Sequence, residues 1–405
     1  MVPVLKNVDA RKLFLHRQGL STLPTGKLTD NDLLTMIDSM GFVQIDSINT
    51  VERAHHMILF SRNQTYKRQQ LITLIEKDRS LFENWTHDAS VIPSRFYKYW
   101  KHRFRRRAPV LLERWKNWRQ EGFEDHFDSV LNHVRTNGPT MSRDLKSAHP
   151  KQKKTDGWWD WHPSKTALEF LWHTGELAVS GREGFQKVYD LSSRVISDFD
   201  HEKTVTEEEF INWACRSALY RLGFASSGEI AAFWDVVSPA EVKKWCDSQP
   251  KEELCEIAIE TADRSKHHRA YARPDVFEEV QQISDMPKRI RVLSPFDPVL
   301  RDRKRALRLF NFDYRIEVFV PETKRQYGYY VFPLIEGHRV IGRIDMKCHR
   351  KEGILNVEGL WLERGVRFSA ARENRLAAEL GRIRRFTSME AIKYANGFLR
   401  PHGVL

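Results

Sequence analysis

The sequence predicts a mainly α-helical protein with some β-structure, in which winged-helix units are followed by a small antiparallel sheet. Three observations support this fold class. The chain has 405 residues, enough for several domains of roughly 100–200 residues each. Residues 126–191 combine helical patterns with two strands around a glycine turn. From residue 294 onward, an alternating pattern typical of strands replaces the helical spacing.

The segment 126–191 has the order of elements found in a winged helix. In chain order it contains a helix over Asp128–Thr136, a break at Asn137–Pro139, a short helix over Ser142–Ser147 capped by Thr140, a loop with Trp158, Trp159 and Trp161, a helix beginning at His162 and Pro163, and strands at Leu177–Ser180 and Lys187–Leu191. A turn with two glycines, Gly181–Phe185, joins the strands. In such units the third helix usually enters the major groove of DNA, and the hairpin, or wing, contacts the backbone.

The N-terminal region predicts a helix followed by a strand. Thr29 is a suitable N-cap for a helix over Asp30–Met40, whose apolar residues recur at helical spacing. Gly41 is typical of the residue that ends a helix. The next residues, Phe42–Ile48, have the composition of a strand. Residues 71–120 are predicted to be helical and rich in aromatic side chains.

The remaining regions predict a second helical unit and then a sheet. Residues 204–293 are predicted to be helical, with capping boxes at Thr206/Glu209 and Ser238/Glu241. The predicted sheet, which could close into a barrel, has strands at Tyr314–Val320, Tyr329–Leu334, Arg339–Lys347 and Ile354–Glu363. A basic helix is predicted near Ser369–Asn396.

The composition favours a polyanionic partner and excludes several protein classes. Lysine and arginine total 66 against 54 acidic residues, a net charge of +12 with a pI near 9.5, which favours nucleic-acid binding. The first residues contain no apolar run suited to a secretory signal, so we expect none, and no apolar run is long enough to span a membrane. The four cysteines show no CxxC or zinc-finger spacing, which predicts a cytoplasmic protein with reduced thiols and no bound metal. The absence of nucleotide-binding and hydrolase motifs predicts no nucleotide cofactor.

Gln44 and Asp46 are the first candidates for chemistry. Residues two apart in a strand point to the same side, so Gln44 and Asp46 share one face while Val43 and Ile45 occupy the other. An amide and a carboxylate held side by side can position a water molecule or stabilise a developing sugar cation. From the residues alone, the pattern favours the simpler interpretation, an exposed polar face on an edge strand.

Further candidates could contact DNA, although each could also be an ordinary surface or core residue. Arg53 and His56, with His55 between them, lie three apart on a predicted helix and could bind phosphate or a base edge. His87, in Trp85–Asp88, lies beside aromatic residues. A basic run, Lys101–Arg107, includes Arg105 and Arg106. The reading surface predicted for the winged helix consists of Ser142, Arg143, Lys146, Ser164, Lys165, Arg182 and Lys187.

The sequence resembles the YcaQ-like, AlkZ-related family of crosslink-repair DNA glycosylases, over nearly the whole chain. The resemblance rests on the order and spacing of Gly41–Asp46, Trp85–Ser90, Gly181–Leu191, Leu293–Pro298 with Asp302–Lys304, Phe312–Glu317 and Lys324–Tyr330. It implies tandem winged helices that form a cradle around DNA, and a C-terminal β-barrel. The implied domains are 1–120 with the Gln-Ile-Asp motif, 121–200, 201–293 and 294–405 with the basic helix.

The resemblance also implies an activity. The family's catalytic motif is Gln, an apolar residue, then Gln or Asp, which Gln44 and Asp46 match. Asp46 in the second place is similar to the broader YcaQ branch, which implies release of N7-alkylated purines, interstrand crosslinks included, by a monomer acting on double-stranded DNA. No lysine beside the motif suggests a Schiff-base nucleophile, so we expect an abasic site without strand cleavage. The alternatives are a winged-helix transcription regulator without catalysis and an architectural DNA-binding protein.

Overall fold

A computed structural model of the chain describes residues 2–118, 122–145 and 163–401. Its helices are α1 Asn7–Arg17, α2 Asp30–Met40, α3 Ala54–Arg62, α4 Arg68–Ile72, α5 Tyr97–Trp118, α6 Phe127–Asn137, α7 Pro163–Thr174, α8 Ser192–Val195, α9 Asp198–Glu202, α10 Glu207–Leu222, α11 Ser227–Trp234, α12 Pro239–Ser248, α13 Val276–Gln282, α14 Pro298–Arg301, α15 Arg303–Phe310 and α16 Ala370–Phe386. Among these helices, none has the length and apolarity needed to cross a membrane.

The strands are short in the first half of the chain and longer near its end. They are β1 Val4–Leu5, β2 Val43–Gln44, β3 Leu81–Trp85, β4 Ala89–Pro93, β5 Thr140–Met141, β6 Leu177–Glu183, β7 Gln186–Leu191, β8 Phe224–Ala225, β9 Cys255–Glu260, β10 His267–Ala272, β11 Ile290–Val292, β12 Val331–Glu336, β13 Arg339–His349, β14 Ile354–Leu362, β15 Ala391–Tyr394 and β16 Leu399–Arg400.

One topology recurs three times in the described residues. A helix (α2, α6 or α10) leads into a short strand, one or two described α-helices follow, and a hairpin of two strands closes the unit. In each unit the short strand pairs with the second strand of the hairpin, giving the orders β2-β4-β3, β5-β7-β6 and β8-β10-β9. In the third unit β1 adds a parallel strand beside β9.

The start and end of α2 follow from its sequence. Thr29 and Asp32 form the reciprocal hydrogen bonds of a capping box, which satisfies two of the free backbone N–H groups at the helix N-terminus. Gly41 ends the helix at φ +91°. A Cβ at this position would lie 2.7 Å from Arg221 and Trp234. Glycine is therefore required at position 41 for two reasons, the positive φ angle and the close approach of the third unit.

The region 204–293 contains more β-structure than the sequence predicted. The helices α10, α11 and α12 begin with the capping boxes expected at Thr206 and Ser238, and with one at Ser226. The hairpin of β9 and β10 was not predicted. Its residues Ile257, Ile259, Ala270 and Ala272 are buried in a core that also contains residues of α1 and α15, which are distant in sequence. In the second unit, Ser142 and Arg143 lie in a turn, and Asp144 and Leu145 lie in a 3-10 turn. Lys146 and Ser147 of the predicted short helix and the tryptophan loop fall outside the described residues.

The C-terminal sheet is open, so the predicted closed barrel is wrong for the described residues. Its strand order is β11-β12-β13-β14-β15, with β16 also paired to β14. The sheet curls into a half-barrel, and α16 packs against β11 and β15. The predicted basic helix over 369–396 ends at Phe386, because Ala391–Tyr394 pairs with β14.

Residues 314–320 form a loop where the alternating pattern predicted a strand. Glu317 explains the difference. Its carboxylate accepts hydrogen bonds from the backbone N–H groups of Gln326 (2.8 Å), Tyr327 (2.8 Å) and Gly328 (3.1 Å). The side chain thereby occupies the donors that a strand partner would have used. Phe319 is left fully exposed on this loop.

The hydrophobic cores join regions that are distant in sequence. One core combines α1, the first unit, the third unit and α14–α15. A second core packs α2, α3 and β4 of the first unit against the C-terminal sheet and α16. A smaller core lies inside the second unit. These cores cross the predicted boundaries near 120, 200 and 293, and the division into four domains stays a prediction.

Candidate active site

Gln44 and Asp46 lie on the same side of the chain, as the period of two predicts. β2 pairs with β4 in antiparallel register, Val43 opposite Val91, and the N–H of Ile45 donates to the carbonyl of Ala89 at 2.8 Å. Val43 and Ile45 are buried in the second core, while Gln44 and Asp46 are partly exposed. The regular strand ends at Gln44, shorter than predicted, because the chain turns after Ile45.

Asp46 is held by a local turn and has one oxygen available. Its Oδ1 accepts a hydrogen bond from the N–H of Ile48 at 2.7 Å. Among the described residues, no donor bonds its Oδ2. Burial raises the pKa of Asp46, the hydrogen bond from Ile48 opposes this, and the nearby charge of Asp88 raises the pKa further. A carboxylate with a raised pKa and a free oxygen is suited to take a proton from water.

Asp88 completes this group, although the sequence did not mark it as a site residue. It lies in the turn between β3 and β4, and its Oδ2 accepts a hydrogen bond from Nε2 of Gln44 at 3.4 Å. Its Oδ1 accepts from the N–H of Ala89 at 3.0 Å. Burial raises the pKa of Asp88, and the charge of Lys187 lowers it. The motif Trp85–Ser90 could have indicated Asp88. Its residues form the turn of a hairpin whose strand β4 pairs with the strand of Gln44, so the turn lies close to Gln44.

His87, the histidine of that motif, points away from this group. Its Nε2 lies 3.3 Å from the carbonyl oxygen of Phe233 in the third unit. Burial lowers the pKa of His87, and the charge of Arg301 lowers it further. His87 therefore joins two units of the fold and does not accompany Asp46 and Asp88.

Asp46 and Asp88 face a cavity of about 400 Å³ between the first and second units. The cavity is also lined by Glu169 and by four residues predicted to bind DNA, Ser142, Lys165, Arg182 and Lys187. Two lysines therefore lie near the candidate acids, contrary to the expectation that no lysine accompanies them. The remaining lining residues are Ile45, Ser47, Ala89, Phe185, Gln186 and Tyr189.

Arg182 is part of the framework of this cavity. Its guanidinium donates to both carboxylate oxygens of Glu83, at 2.9 and 2.6 Å, and to the carbonyl of Phe185 at 2.6 Å. Glu83 is almost fully buried in β3. The wing of the second unit, the hairpin of β6 and β7, is thus fixed to the first unit by a buried ion pair, and Arg182 is not free to bind phosphate.

Lys187 is held by two contacts in the cavity wall. Its Nζ lies 3.7 Å from Oε1 of Glu169 and 3.5 Å from the ring centre of Trp172. The ion pair and the cation–π contact both stabilise a protonated amine. Lys187 therefore brings positive charge to the carboxylates rather than a nucleophile.

Arg53 and His55 lie against the ring of Phe185, and His56 lies beside His55 and Tyr66, so the three do not share one exposed helix face. DNA binding by these residues stays a prediction. His55 and His56 are buried, and Nδ1 of His56 bonds the hydroxyl of Tyr66 at 2.8 Å. Burial lowers the pKa of His55 well below its usual value and that of His56 to about 4. Arg53 precedes α3 and stacks on the Phe185 ring at 4.4 Å. Of the three, Arg53 alone remains partly exposed.

Two comparisons with known proteins agree with this arrangement. The model of the family "DNA glycosylase AlkZ-like" matches residues 37–386. The chain belongs to the AlkZ-like DNA glycosylase family. A solved structure, the DNA glycosylase AlkZ of Streptomyces sahachiroi, aligns over 96% of this chain and 100% of its own, with a TM-score of 0.64 and 13% identity. At that identity the alignment shows a shared mixed α/β fold.

Family membership makes this AlkZ-like chain an enzyme that acts on DNA. It confirms the resemblance drawn from the motifs, and it decides against the non-catalytic regulator and the architectural protein. The motif Gln44-Ile45-Asp46 and the turn with Asp88 both lie inside the matched range.

Of the other residues predicted to bind DNA, Arg105, Arg106, Arg143 and Ser164 do not line the cavity of this AlkZ-like glycosylase. Arg143 pairs with Glu183 at 2.6 Å on the exposed wing. Arg106 pairs with Glu207 and Glu241 of the third unit, and Arg105 contacts His102. Ser164 is buried at the start of α7. Lys146 lies outside the described residues.

Proposed function

We propose that this glycosylase hydrolyses the N-glycosidic bond of N7-alkylated purines in double-stranded DNA, interstrand crosslinks included, and leaves an abasic site. The observation that carries the proposal is that Asp46 and Asp88 line the 400 Å³ cavity and that Asp88 accepts a hydrogen bond from Gln44. An N7-alkylated purine carries positive charge and leaves without protonation. Carboxylates that attract such a base and stabilise the sugar cation therefore suit the reaction better than a general acid does.

The proposed reaction needs water and this chain's own residues. A water oxygen bonds to C1′ of the deoxyribose as the bond from C1′ to N9 breaks, and the bonding electron pair moves to the purine, which leaves neutral. Oδ2 of Asp46 takes the proton of the water, and its negative charge stabilises the sugar cation before attack. The hydrogen bond to Asp88 fixes the amide of Gln44, so that its carbonyl oxygen can orient the water.

The three repeated units support the predicted tandem winged helices. Each has the order helix, short strand, helices and hairpin that a winged helix requires. We interpret them as the walls of the DNA cradle, with the catalytic group where the first and second units meet. The predicted monomeric state and cytoplasmic location stay predictions.

Release of free base is the direct test of this function. A duplex with one N7-methylguanine should yield free N7-methylguanine and an intact strand that breaks after alkali treatment. The same duplex with guanine should release nothing. Borohydride should trap no covalent complex, because Lys187 is held by Glu169 and Trp172 and water is the attacking group in the proposed reaction. Trapping would replace the hydrolytic step with a lysine nucleophile, and no release at all would contradict the assigned substrate.

The pH dependence of the rate should report the pair of carboxylates. Asp46 acts as a carboxylate, so activity is lost as the pH falls through its raised pKa. Asp88→Asn removes the neighbouring negative charge, lowers the pKa of Asp46, and should move this acid limb to lower pH. Single-turnover rates measured across a pH series give the position of the limb independently of its height.

Asp78→Asn is the control for this shift. It makes the same change in net charge at an exposed residue that pairs with no cation among those described. Its acid limb should stay at the wild-type pH. A limb that stays unchanged in Asp88→Asn would contradict the electrostatic coupling between Asp46 and Asp88.

A further inference from the structure

A second groove, of about 640 Å³, lies between α3, α4 and the C-terminal end of α16. Its charged lining residues are all basic: Lys67, Arg68, Arg382 and Arg385. None of the lining residues is acidic, whereas the catalytic cavity contains three carboxylates. The two cavities therefore differ in the charge of the ligand that they favour.

Two of these cations are fixed and two are available. Arg68 pairs with Glu52, donates to the carbonyl of Phe386 and lies over the Phe386 ring at 4.7 Å. Arg382 pairs with Glu379. Lys67 and Arg385 are exposed and pair with no acidic side chain in the described parts of the chain. The groove thus holds net positive charge after its own ion pairs are counted.

A chain of contacts joins this groove to the catalytic cavity. Phe185 lines the cavity and supports the Arg53 guanidinium on its ring. Glu52, next to Arg53, accepts a hydrogen bond from the N–H of Arg53 and also pairs with Arg68 of the groove. Positive side chains therefore continue from Arg53 to Arg68 and on to Lys67 and Arg385.

We propose that Arg53, Lys67 and Arg385 form a cationic track that binds the sugar-phosphate backbone of the substrate DNA beside the lesion, with Arg68 as a fixed positive charge between them. The inference rests on the proposed function for the position of the lesion, and it adds the path of the flanking duplex. Spaced cations and no acid in the groove suit a polyanion with regularly spaced charges. Arg53 is already held by stacking on the Phe185 ring, so it binds phosphate with less loss of conformational entropy.

Binding of an undamaged duplex tests the track separately from catalysis. Lys67→Gln combined with Arg385→Gln removes two phosphate partners that have no structural ion pair. We expect weaker binding of every duplex sequence, and a slope of log K against log salt that is shallower by about 2, because each phosphate contact contributes about 1. Fluorescence anisotropy over a salt series measures both quantities.

Lys6→Gln combined with Lys251→Gln is the matched control. Both lysines are exposed, neither pairs with an acid among the described residues, and neither lines the groove or the catalytic cavity. The control should keep the wild-type slope and affinity. The track is overturned if the groove variant keeps the wild-type slope, or if both pairs of substitutions weaken binding equally, which would indicate a general charge effect. If the wild type releases no N7-methylguanine yet shows the groove-dependent slope, the proposed substrate fails and the track stands.

Discussion

Asp46→Asn should lower the single-turnover rate of N7-methylguanine release by about 10²- to 10⁴-fold, the range in which a general base contributes to catalysis. The amide has nearly the same shape, so the turn with Ile48 and the packing of Val43 and Ile45 remain. What is lost is the negative charge that stabilises the sugar cation and the oxygen that takes the proton of water. Rapid mixing of excess enzyme with a damaged duplex, followed by quantification of free base, measures the effect.

A second carboxylate provides the control for this substitution. Asp345 in β13 is buried deeply enough that its pKa is raised to about 6, with burial as the main cause and Glu358 as a second. It does not line the cavity of Asp46. Asp345→Asn should keep the release rate of wild-type protein within a few-fold for equal amounts of folded enzyme. A wild-type rate in Asp46→Asn would remove Asp46 from the reaction.

The sequence predicted well what depends on neighbours along the chain. The alternation in Val43–Asp46 and the cap at Thr29 follow from local geometry, and the structure shows both. Asp88 required knowledge that β4 pairs with β2, a contact between segments more than forty residues apart. The family motifs indicated the function better than any single helix or strand pattern did. Their order along the chain can be recognised without knowing how the segments pack.

The errors have a common physical cause. His55 and His56 were assigned to a surface because a helix start is usually solvated, but Tyr66 and Phe185 bury them. Residues 314–320 alternate like a strand, but Glu317 binds backbone donors about ten residues further on. In each case contacts with residues elsewhere in the chain decide the outcome. The composition and the periodicity of the segment itself do not reveal those contacts.

Charge patterns in the sequence also overstated how many cations can reach DNA. The run Lys101–Arg107 lies on α5, and its Arg106 and Arg107 pair with acids of the third unit. Arg182 is committed to Glu83. Ion pairs within the fold therefore consume many of the cations, and the unpaired ones indicate the DNA surface better than the net charge does.

The second large effect concerns stability. Arg62 of α3 and Asp297, the N-cap of α14, form a two-point ion pair at 2.6 and 3.0 Å that is completely buried. Removing one charge leaves the other unpaired in a place that water does not reach. Asp297→Leu should therefore lower the free energy of unfolding by about 3–5 kcal/mol, which is a large fraction of a typical total of about 5–15 kcal/mol. Urea denaturation followed by tryptophan fluorescence measures it.

A double-mutant cycle separates the ion pair from the space that it fills. Arg62→Met together with Asp297→Leu removes both charges. The double variant should lose less unfolding free energy than the sum of the two single substitutions, because it leaves no charge buried and unpaired. The exposed pair Arg269–Glu256 supplies the comparison, since breaking it with Glu256→Gln should cost far less than breaking the buried pair. Equal costs for the two pairs would show that water reaches Asp297. A large loss of unfolding free energy in the single variants and a smaller loss in the double variant would have another meaning. Each charge of this pair between α3 and α14 would then serve mainly to compensate the cost of burying the other.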